Sequence, residues 1–344
     1  MTVLKYITPR LIILVIFIFM ANVIYKHTFW MSDIRLHGDI LENMLDIDPH
    51  SKAVYFGESS NFHVTEQDSV RHRISYILDD LIPEMKISTV DNSGLHSGTY
   101  LAVIKNIPEK FSVKILIITM NYRSFDATWR YAEFENYLAK TERMLSPGLP
   151  VINKFLVSLK QYDYKTKEKR NEQMIEAWQN EKFNIPDFEY DNVISWDSAM
   201  AKHTWLNSNE NLTEENIGLA CHYIKNFAFD IDTLSNERIK DFDAIMKLAN
   251  RKGYKVVFNL LAENMEEAQK LVGDQLIYLI DKNRKLLIDR YEKMGALVVD
   301  NMYAVPDSCF VDRNWPTEHY NISGKTIVAT NIQKSMKSHG LLPD

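Results

Sequence analysis

The sequence predicts an α/β protein in which a central parallel sheet is covered by helices on both faces. Short runs rich in β-branched and aromatic residues alternate with longer stretches of helical periodicity, as in consecutive βαβ units. One of these runs, VKILIITM at 113–120, is apolar throughout, which is typical of a strand buried on both faces. A chain of 344 residues is long enough to enclose such a sheet in one large core.

Five strands are predicted along the chain, and helical stretches lie between and after them. The predicted strands are 52–56, 85–91, 113–120, 255–261 and 296–300, and the predicted helices are 70–81, 100–107, 266–294 and 323–336. Between 124 and about 234 the buried runs stop, and charged and aromatic residues dominate. We therefore expect a mostly helical insertion after strand three, acting either as a lid over a site or as a docking surface.

The most apolar continuous segment lies near the N-terminus, from Leu11 to Tyr25. Counted from Ile7 it reaches about 19 residues, close to the ~20 that a helix needs to cross a bilayer. A cleaved signal peptide is the competing interpretation, although Ala21-Asn22-Val23 offers a poor cleavage site. The sequence thus divides into an N-terminal transmembrane anchor, 1–30, a linker, 31–51, and an α/β domain, 52–344.

The charge pattern indicates on which side of a membrane the domain lies and which class of partner is not expected. Lys5 and Arg10 precede the apolar segment, which favours a short cytoplasmic tail and a large extracytoplasmic domain, either periplasmic or extracellular. The formal net charge is -6, so no broad basic surface is available and nucleic acid is not an expected partner. The sequence also has no glycine-rich phosphate loop, and we expect no cofactor.

The two cysteines, Cys221 and Cys309, have no metal-ligand spacing. A single long-range disulfide and two unrelated buried thiols are both compatible with their positions. The histidines are scattered along the chain, so no metal site is predicted.

Polar residues suited to acyl transfer follow four of the predicted strands. They are Ser59 in GESSNF, Gly94 and Gly98 in DNSGLHSGT, Asn121 and Arg123 in MNYRSF, and Asp312, Glu318 and His319 in VDRNWPTEHYNISG. Since the carboxyl ends of parallel strands share one edge, these groups should lie together. A hydroxyl nucleophile, an imidazole base, an orienting carboxylate and N–H donors for an oxyanion are the parts of a serine acyl-transfer site.

The same four blocks, in this order, resemble those of the SGNH (GDSL-type) hydrolase superfamily. The resemblance covers roughly residues 50–125 and 235–340 and leaves out the insertion. It implies a three-layer flavodoxin-like fold. It also implies the site roles, with the nucleophile, the base and the two oxyanion donors assigned in turn to Ser59, His319, Gly98 and Asn121.

The acid that orients the histidine departs from the family pattern. The family places it three residues before the histidine, where this chain has Pro316. Glu318 and Asp312 are the nearest carboxylates, and a Ser–His dyad without an acid is a third alternative. We prefer Glu318 because it lies in one compact stretch with His319. Arg123 could either clamp an anionic part of the substrate or pair with an acid.

The resemblance implies a serine esterase or O-acyltransferase that forms an acyl-serine intermediate. Anchored relatives of this layout, the DltD-type proteins of teichoic-acid D-alanylation and the acetyltransferases of secreted polysaccharides, imply acylated cell-envelope glycans as substrates. They also imply a multi-pass membrane acyltransferase as partner. The alternatives are an inactive binding or assembly subunit, suggested by Pro316, and a lipid hydrolase, which would need an apolar face on the insertion.

Overall fold

Five parallel strands form the central sheet of the computed structural model, which describes residues 2–64, 72–185, 188–202 and 213–342. The strands are β1 Ala53–Gly57, β2 Ile87–Asp91, β3 Ile115–Met120, β4 Lys255–Leu260 and β5 Leu297–Asp300. They lie in the order β2-β1-β3-β4-β5, and each neighbouring pair is parallel. The predicted parallel sheet is therefore confirmed, with the strand order of flavodoxin-like folds and a switch point between β1 and β3.

Sixteen helices are described, besides three short 3₁₀ turns. They are α1 Thr2–Thr28, α2 Trp30–His37, α3 Asp39–Leu45, α4 Ser59–Phe62, α5 Ile74–Leu81, α6 Ser97–Asn106, α7 Ala127–Arg130, α8 Glu135–Met144, α9 Pro150–Ser158, α10 Lys167–Asn180, α11 Val193–Ala201, α12 Glu214–Phe227, α13 Glu237–Lys252, α14 Met265–Leu271, α15 Asp274–Lys293 and α16 Ile322–Ser338. The α7–α12 helices occupy the described parts of 124–234, where a mostly helical insertion was predicted.

Side chains alternate across the sheet and build one core on each face. In β1, Val54 and Phe56 join the core formed with α6, α13 and α15, whereas Ala53 and Tyr55 join the core formed with α5 and α16. β1 and β3 are buried along their whole length, whereas residues 87–89 of β2, at the edge of the sheet, are half-buried. Helices therefore cover both faces of the sheet, as the alternation of strands and helices in the sequence predicts.

Two predicted helices differ in extent from those observed. The stretch predicted over 266–294 is divided into α14 and α15, because Gly273 adopts a φ of +105°, which favours glycine and interrupts a helix. The helix predicted over 70–81 begins at Ile74 in the part of the chain that is described, and Val70 lies outside the described residues.

The segment 31–51, expected to be a linker, carries α2 and α3. Ile34, Ile40 and Leu41 are fully buried in the core on the α6 face. The backbone N–H groups of Phe29 and Asp33 donate to the carbonyls four residues earlier, so hydrogen bonding continues from α1 into α2. The connection between the apolar helix and the sheet is thus ordered and helical.

The N-terminal helix α1 contains the apolar segment found in the sequence. Residues 6–28 have a mean hydropathy of 2.3 over their most apolar window, of which 6% is buried. A helix of this length and composition suits either a membrane span or a signal sequence. Cys221 and Cys309 are buried free thiols, so of the two interpretations the unpaired one is observed.

Candidate active site

The turn after β1 presents Ser59 at the carboxyl edge of the sheet. β1 ends at Gly57, and Ser59 begins the short helix α4. A Cβ atom on Gly57 would lie 2.9 Å from Cε1 of Tyr55 and 3.0 Å from Cβ of Asn61, so close packing requires glycine there. Ser60 is fully buried, whereas Ser59 is partly exposed. Ser59 is therefore the serine of this block that a substrate can reach.

Ser59, His319 and Asp312 form one continuous hydrogen-bonded chain. Nε2 of His319 lies 3.0 Å from Oγ of Ser59, and Nδ1 lies 2.7 Å from Oδ2 of Asp312. The hydroxyl of Thr317 donates to the same Asp312 oxygen at 2.5 Å. The arrangement is that of a nucleophile, a base and an orienting acid.

The loop after β5 doubles back on itself and so brings Asp312 beside the histidine. Phe310 and Tyr320 form an antiparallel bridge, and the N–H of Val311 donates to the carbonyl of His319 at 3.0 Å. This pairing folds the chain around Pro316, which places the carboxylate of residue 312 at Nδ1 of the imidazole. The preference for Glu318 as the orienting acid is corrected accordingly.

Glu318 points to the opposite side of the loop from His319 and is fully buried. There it accepts hydrogen bonds from Nε and Nη2 of Arg123 in a bidentate ion pair. Arg123 is only 4% exposed, so of its two expected roles the structure supports pairing with an acid. The pair joins the end of β3 to the loop that carries the histidine.

A second buried carboxyl, that of Glu263, completes this ion pair. Burial, together with the charge of Glu318, holds the pKa of Glu263 well above its usual range. For Glu318, burial would raise the pKa, but the charge and hydrogen bonds of Arg123 outweigh it and the pKa is lowered. The neutral form of Glu263 is therefore favoured beside the Glu318 carboxylate.

Glu58 also contacts the nucleophile. Its Oε2 lies 2.8 Å from Oγ of Ser59, and its Oε1 accepts from the backbone N–H of Ser60 at 3.1 Å. Burial, then the charge of Glu318, raises the pKa of Glu58 to about 7. Sequence reasoning missed this contact, although a glutamate directly before the serine in the Gly57-Glu58-Ser59 block was its visible signal.

His63 stacks on His319, with ring centroids 3.9 Å apart and an interplanar angle of 7°. Burial, followed by the proximity of His63, lowers the pKa of His319, so the imidazole is a neutral base at neutral pH. Ligand atoms of His63, Asp312 and His319 lie within 4.8 Å of one another, close enough to hold a metal ion. Parallel stacked rings direct their in-plane lone pairs side by side, however, and both nitrogens of His319 already have partners.

Asn121 offers a free donor at the same edge. Its Oδ1 accepts from the N–H of Arg123 at 2.9 Å, which fixes the amide, and its Nδ2 is buried without a partner among the described residues. β1 and β3 are paired neighbours, and Ser59 and Asn121 each follow the carboxyl end of one of them. The amide thus lies at the same edge of the sheet as Ser59.

Gly98 was expected to donate its N–H to an oxyanion, but in the structure this N–H is not free. It donates to Nδ1 of His96 at 3.1 Å in the first turn of α6. The carboxylates of Glu142 and Asp241 lie against its Cα, at 2.8 and 3.0 Å from where a Cβ would stand. The glycine belongs to a buried polar cluster between α6, α8 and α13.

Comparison with known proteins finds similar structures but no similar sequences. No protein-family model matches the chain, and neither does any curated protein. LAE5, an alpha/beta hydrolase from the metagenome of Lake Arreo, is 12% identical with a TM-score of 0.37 over 83% of this chain and 95% of that one. Axe2, an acetylxylan esterase from Geobacillus stearothermophilus, is 11% identical with a TM-score of 0.36 over 84% of this chain and 96% of that one. Because both scores are low, the function proposed below rests on the geometry of the site.

Proposed function

We propose that the protein is a serine esterase or O-acyltransferase that works through an acyl-serine intermediate. The observation that carries this proposal is the hydrogen-bonded chain from Asp312 through His319 to Ser59 at the carboxyl edge of the sheet. A buried amide donor, Asn121, lies at the neighbouring strand end. These are the parts that the SGNH resemblance assigned to catalysis, except for the choice of acid and for Gly98.

The reaction follows from the order of the contacts. Oγ of Ser59 attacks the ester carbonyl carbon while Nε2 of His319 takes the hydroxyl proton, and Asp312 holds Nδ1–H and stabilises the imidazolium. Nδ2 of Asn121 donates to the oxyanion of the tetrahedral intermediate. The intermediate collapses, and the leaving alkoxide receives the proton from His319. Water, or a sugar hydroxyl, then attacks the acyl-serine by the same steps in reverse.

The inactive-subunit alternative rested on the absence of an acid at position 316. Asp312 supplies that carboxylate from a different position in the loop, 2.7 Å from the imidazole. The observation that favoured an inactive protein is thereby removed, and the catalytic function is the better supported of the two.

For the substrate, we propose acyl esters of cell-envelope glycans. Trp315 lies in the loop that carries the acid and the base, is 41% exposed and packs on His222 of α12 at 3.8 Å. A broad aromatic ring at the rim of a site suits the apolar face of a sugar ring. α1, proposed as a membrane anchor with the domain on the extracytoplasmic side, would hold the site beside these polymers and beside a multi-pass acyltransferase.

The test is covalent labelling of the full-length protein in detergent with a fluorophosphonate serine probe. We expect labelling of the parent protein and none of the Ser59→Ala and His319→Ala variants. Ser60→Ala is the matched control and should label as the parent does, because its hydroxyl is buried. Labelling of Ser59→Ala at the parental rate, or no labelling of the folded parent, would overturn the proposal.

A further inference from the structure

Helix α9 of the insertion packs against the apolar helix α1. One stripe of α1, with the spacing of a helix face, is less exposed than the rest of its described side chains, and it consists of Ile18, Ala21, Asn22 and Tyr25. Asn22 is 7% exposed, whereas Phe17 and Phe19 on other faces are 68% and 60% exposed. The contact between α1 and α9 therefore lies within the apolar segment itself.

A polar bond fixes the depth of this contact. Oδ1 of Asn22 accepts from the backbone N–H of Val151, in the first turn of α9, at 3.3 Å. Asn22 lies six residues before Thr28, where α1 ends, which is ~9 Å along the helix axis. If α1 crosses a bilayer, the start of α9 consequently lies below the end of the span.

The ends of α9 leave few backbone groups that need water. Pro150, its first residue, has no N–H; that of Val151 is bound by Asn22, and those of Ile152 and Asn153 donate to the carbonyl of Leu149 at 2.9 and 3.1 Å. All donors of the first turn are thus accounted for, as a helix in an apolar medium requires.

The carboxyl end of α9 is closed in the same way. Lys160 has a φ of +54°, its N–H donates to the carbonyl of Val157, and the N–H of Gln161 donates to that of Leu156. These are the two bonds of a Schellman motif. The carbonyls of Leu156 and Val157 at this end of the helix are therefore hydrogen-bonded within the protein.

The outer face of α9 is apolar. Asn153 and Val157 face the protein, where Nδ2 of Asn153 donates to the carbonyl of Ser146 at 2.6 Å. Phe155 and Leu159, one turn apart, are 57% and 53% exposed. A short helix with an exposed apolar stripe and fully used backbone ends suits the boundary between lipid headgroups and acyl chains.

We propose that α9 lies in the outer leaflet interface of the membrane, with Phe155 and Leu159 inserted among the lipids beside α1. The protein then contacts the bilayer at two places, the span and an interfacial helix of the insertion. This deepens the proposed localisation and rests on α1 crossing the membrane. The apolar face belongs to α9, whereas the part of the insertion that contacts the catalytic loop is α12, so we assign the face to the membrane and not to a lipid substrate.

The test measures the depth of nitroxide spin labels on the full-length protein in phosphatidylcholine–phosphatidylglycerol vesicles. Single cysteines replace Phe155 or Leu159 in a Cys221→Ala, Cys309→Ala background. Leu234→Cys, at a position 84% exposed on the domain, is the aqueous control, and Ile16→Cys, in the middle of α1, is the lipid reference. Collision with oxygen, which concentrates in lipid, is compared with collision with a water-soluble nickel chelate.

We expect labels at 155 and 159 to favour oxygen over the nickel chelate several-fold more than the label at 234 does. Labels at 155 and 159 that meet the chelate as freely as that at 234 would overturn the proposal, while a lipid-exposed residue 16 would leave the span intact. Labels shielded from both reagents would show a protein partner on this face and would also overturn it. An aqueous residue 16 would refute the span, and this proposal with it, without bearing on the serine chemistry.

Discussion

At the scale of single residues, the two ring nitrogens of His319 are each held by a different side chain. Asp312 accepts from Nδ1, so the proton of the neutral imidazole is held there and Nε2 is left as the acceptor facing Ser59. The ring is also covered by His63. Orientation, tautomer and basicity of this one side chain thus have separate structural causes.

Asp312→Asn should slow fluorophosphonate labelling by ~10²–10⁴-fold, because an amide no longer fixes the tautomer that leaves Nε2 unprotonated. Glu318→Gln is the matched carboxylate change on the same loop, and it should act mainly by lowering the melting temperature. Rates of labelling and melting temperatures of both variants separate the two roles. If the Asp312→Asn variant were labelled at the rate of the parent protein, a group other than Asp312 would be the orienting acid.

His63→Phe should shift the pH dependence of labelling. The base must be neutral, so the rate rises with pH through the pKa of His319, which burial and then His63 lower below its usual 6.5. Phenylalanine keeps a stacked ring and removes the imidazole that lowers the pKa of His319, so this pKa should rise and the acidic limb should move to higher pH. The measurement is the labelling rate constant between about pH 5 and 8. An unmoved acidic limb would mean that His63 does not influence the pKa of His319.

Much of this site could be predicted from the residues that follow the strands. Ser59, Asn121 and His319 lie at one sheet edge because parallel strands end there. The acid could not be chosen in this way, since Asp312 reaches the imidazole only through the Phe310–Tyr320 bridge of an irregular loop. The use of the Gly98 N–H by His96 likewise depends on a side-chain contact that spacing does not reveal.

At the scale of elements, the Arg123–Glu318 ion pair links the end of β3 to the loop after β5. Both side chains are almost inaccessible to water, and two further glutamates, Glu58 and Glu263, lie close enough to influence the same charges. The Arg123 guanidinium compensates the charge of Glu318, while burial and that charge raise the pKa of Glu263. The Arg123–Glu318 ion pair therefore holds the loop that carries His319 against the end of β3.

Arg123→Met should lower the free energy of unfolding by ~3–5 kcal/mol, because it leaves Glu318 buried without a countercharge. The double variant Arg123→Met, Glu318→Met should recover part of this loss, since no unpaired charge then remains. Denaturant unfolding of the full chain in detergent gives the three values needed, with Glu318→Met as the second single variant. Strictly additive losses would show that the two residues are not coupled.

The elements differ in how far sequence patterns could define them. The five strands could be predicted because their apolar and β-branched residues are typical of strands in a buried sheet. Their order in the sheet agrees with the predicted fold. Residues 31–51 lack such runs, yet α2 and α3 supply fully buried side chains such as Ile34 and Leu41. Their role is set by packing against the sheet, which local composition does not show.

At the scale of the whole molecule, α1 is joined to the domain by specific contacts. Besides the bond between Asn22 and Val151, the Tyr25 hydroxyl donates to Asp33 at 2.7 Å, and Lys154 of α9 pairs with Asp33 at 3.1 Å. Removal of α1 as a signal peptide would leave α9 with an uncovered face and an unpaired N–H. The architecture favours retention of the helix.

The full-length protein should accordingly remain uncleaved in the membrane. Intact-mass measurement should find the residues of α1 still attached, and extraction with alkaline carbonate should leave the protein in the membrane fraction. A variant with three leucines replacing Ala21, Asn22 and Val23 removes the small residue at the weak cleavage site. Its intact mass should differ from that of the parent only by the mass of the three substitutions. A parental chain that begins after these residues would identify a signal peptide instead.

The helical junction between α1 and the sheet also limits how far the candidate active site can move relative to α1. A flexible linker of the ~20 residues between span and domain would let a tethered site wander over an r.m.s. distance of ~25 Å. Here hydrogen bonding runs from Tyr25 through Phe29 into α2, and α2 and α3 are packed into the core. If α1 spans the membrane, Ser59 and His319 therefore lie at a fixed height above the bilayer and in a fixed orientation. A donor enzyme in the same membrane would meet it at a single effective concentration, high if the two heights agree and near zero if they do not.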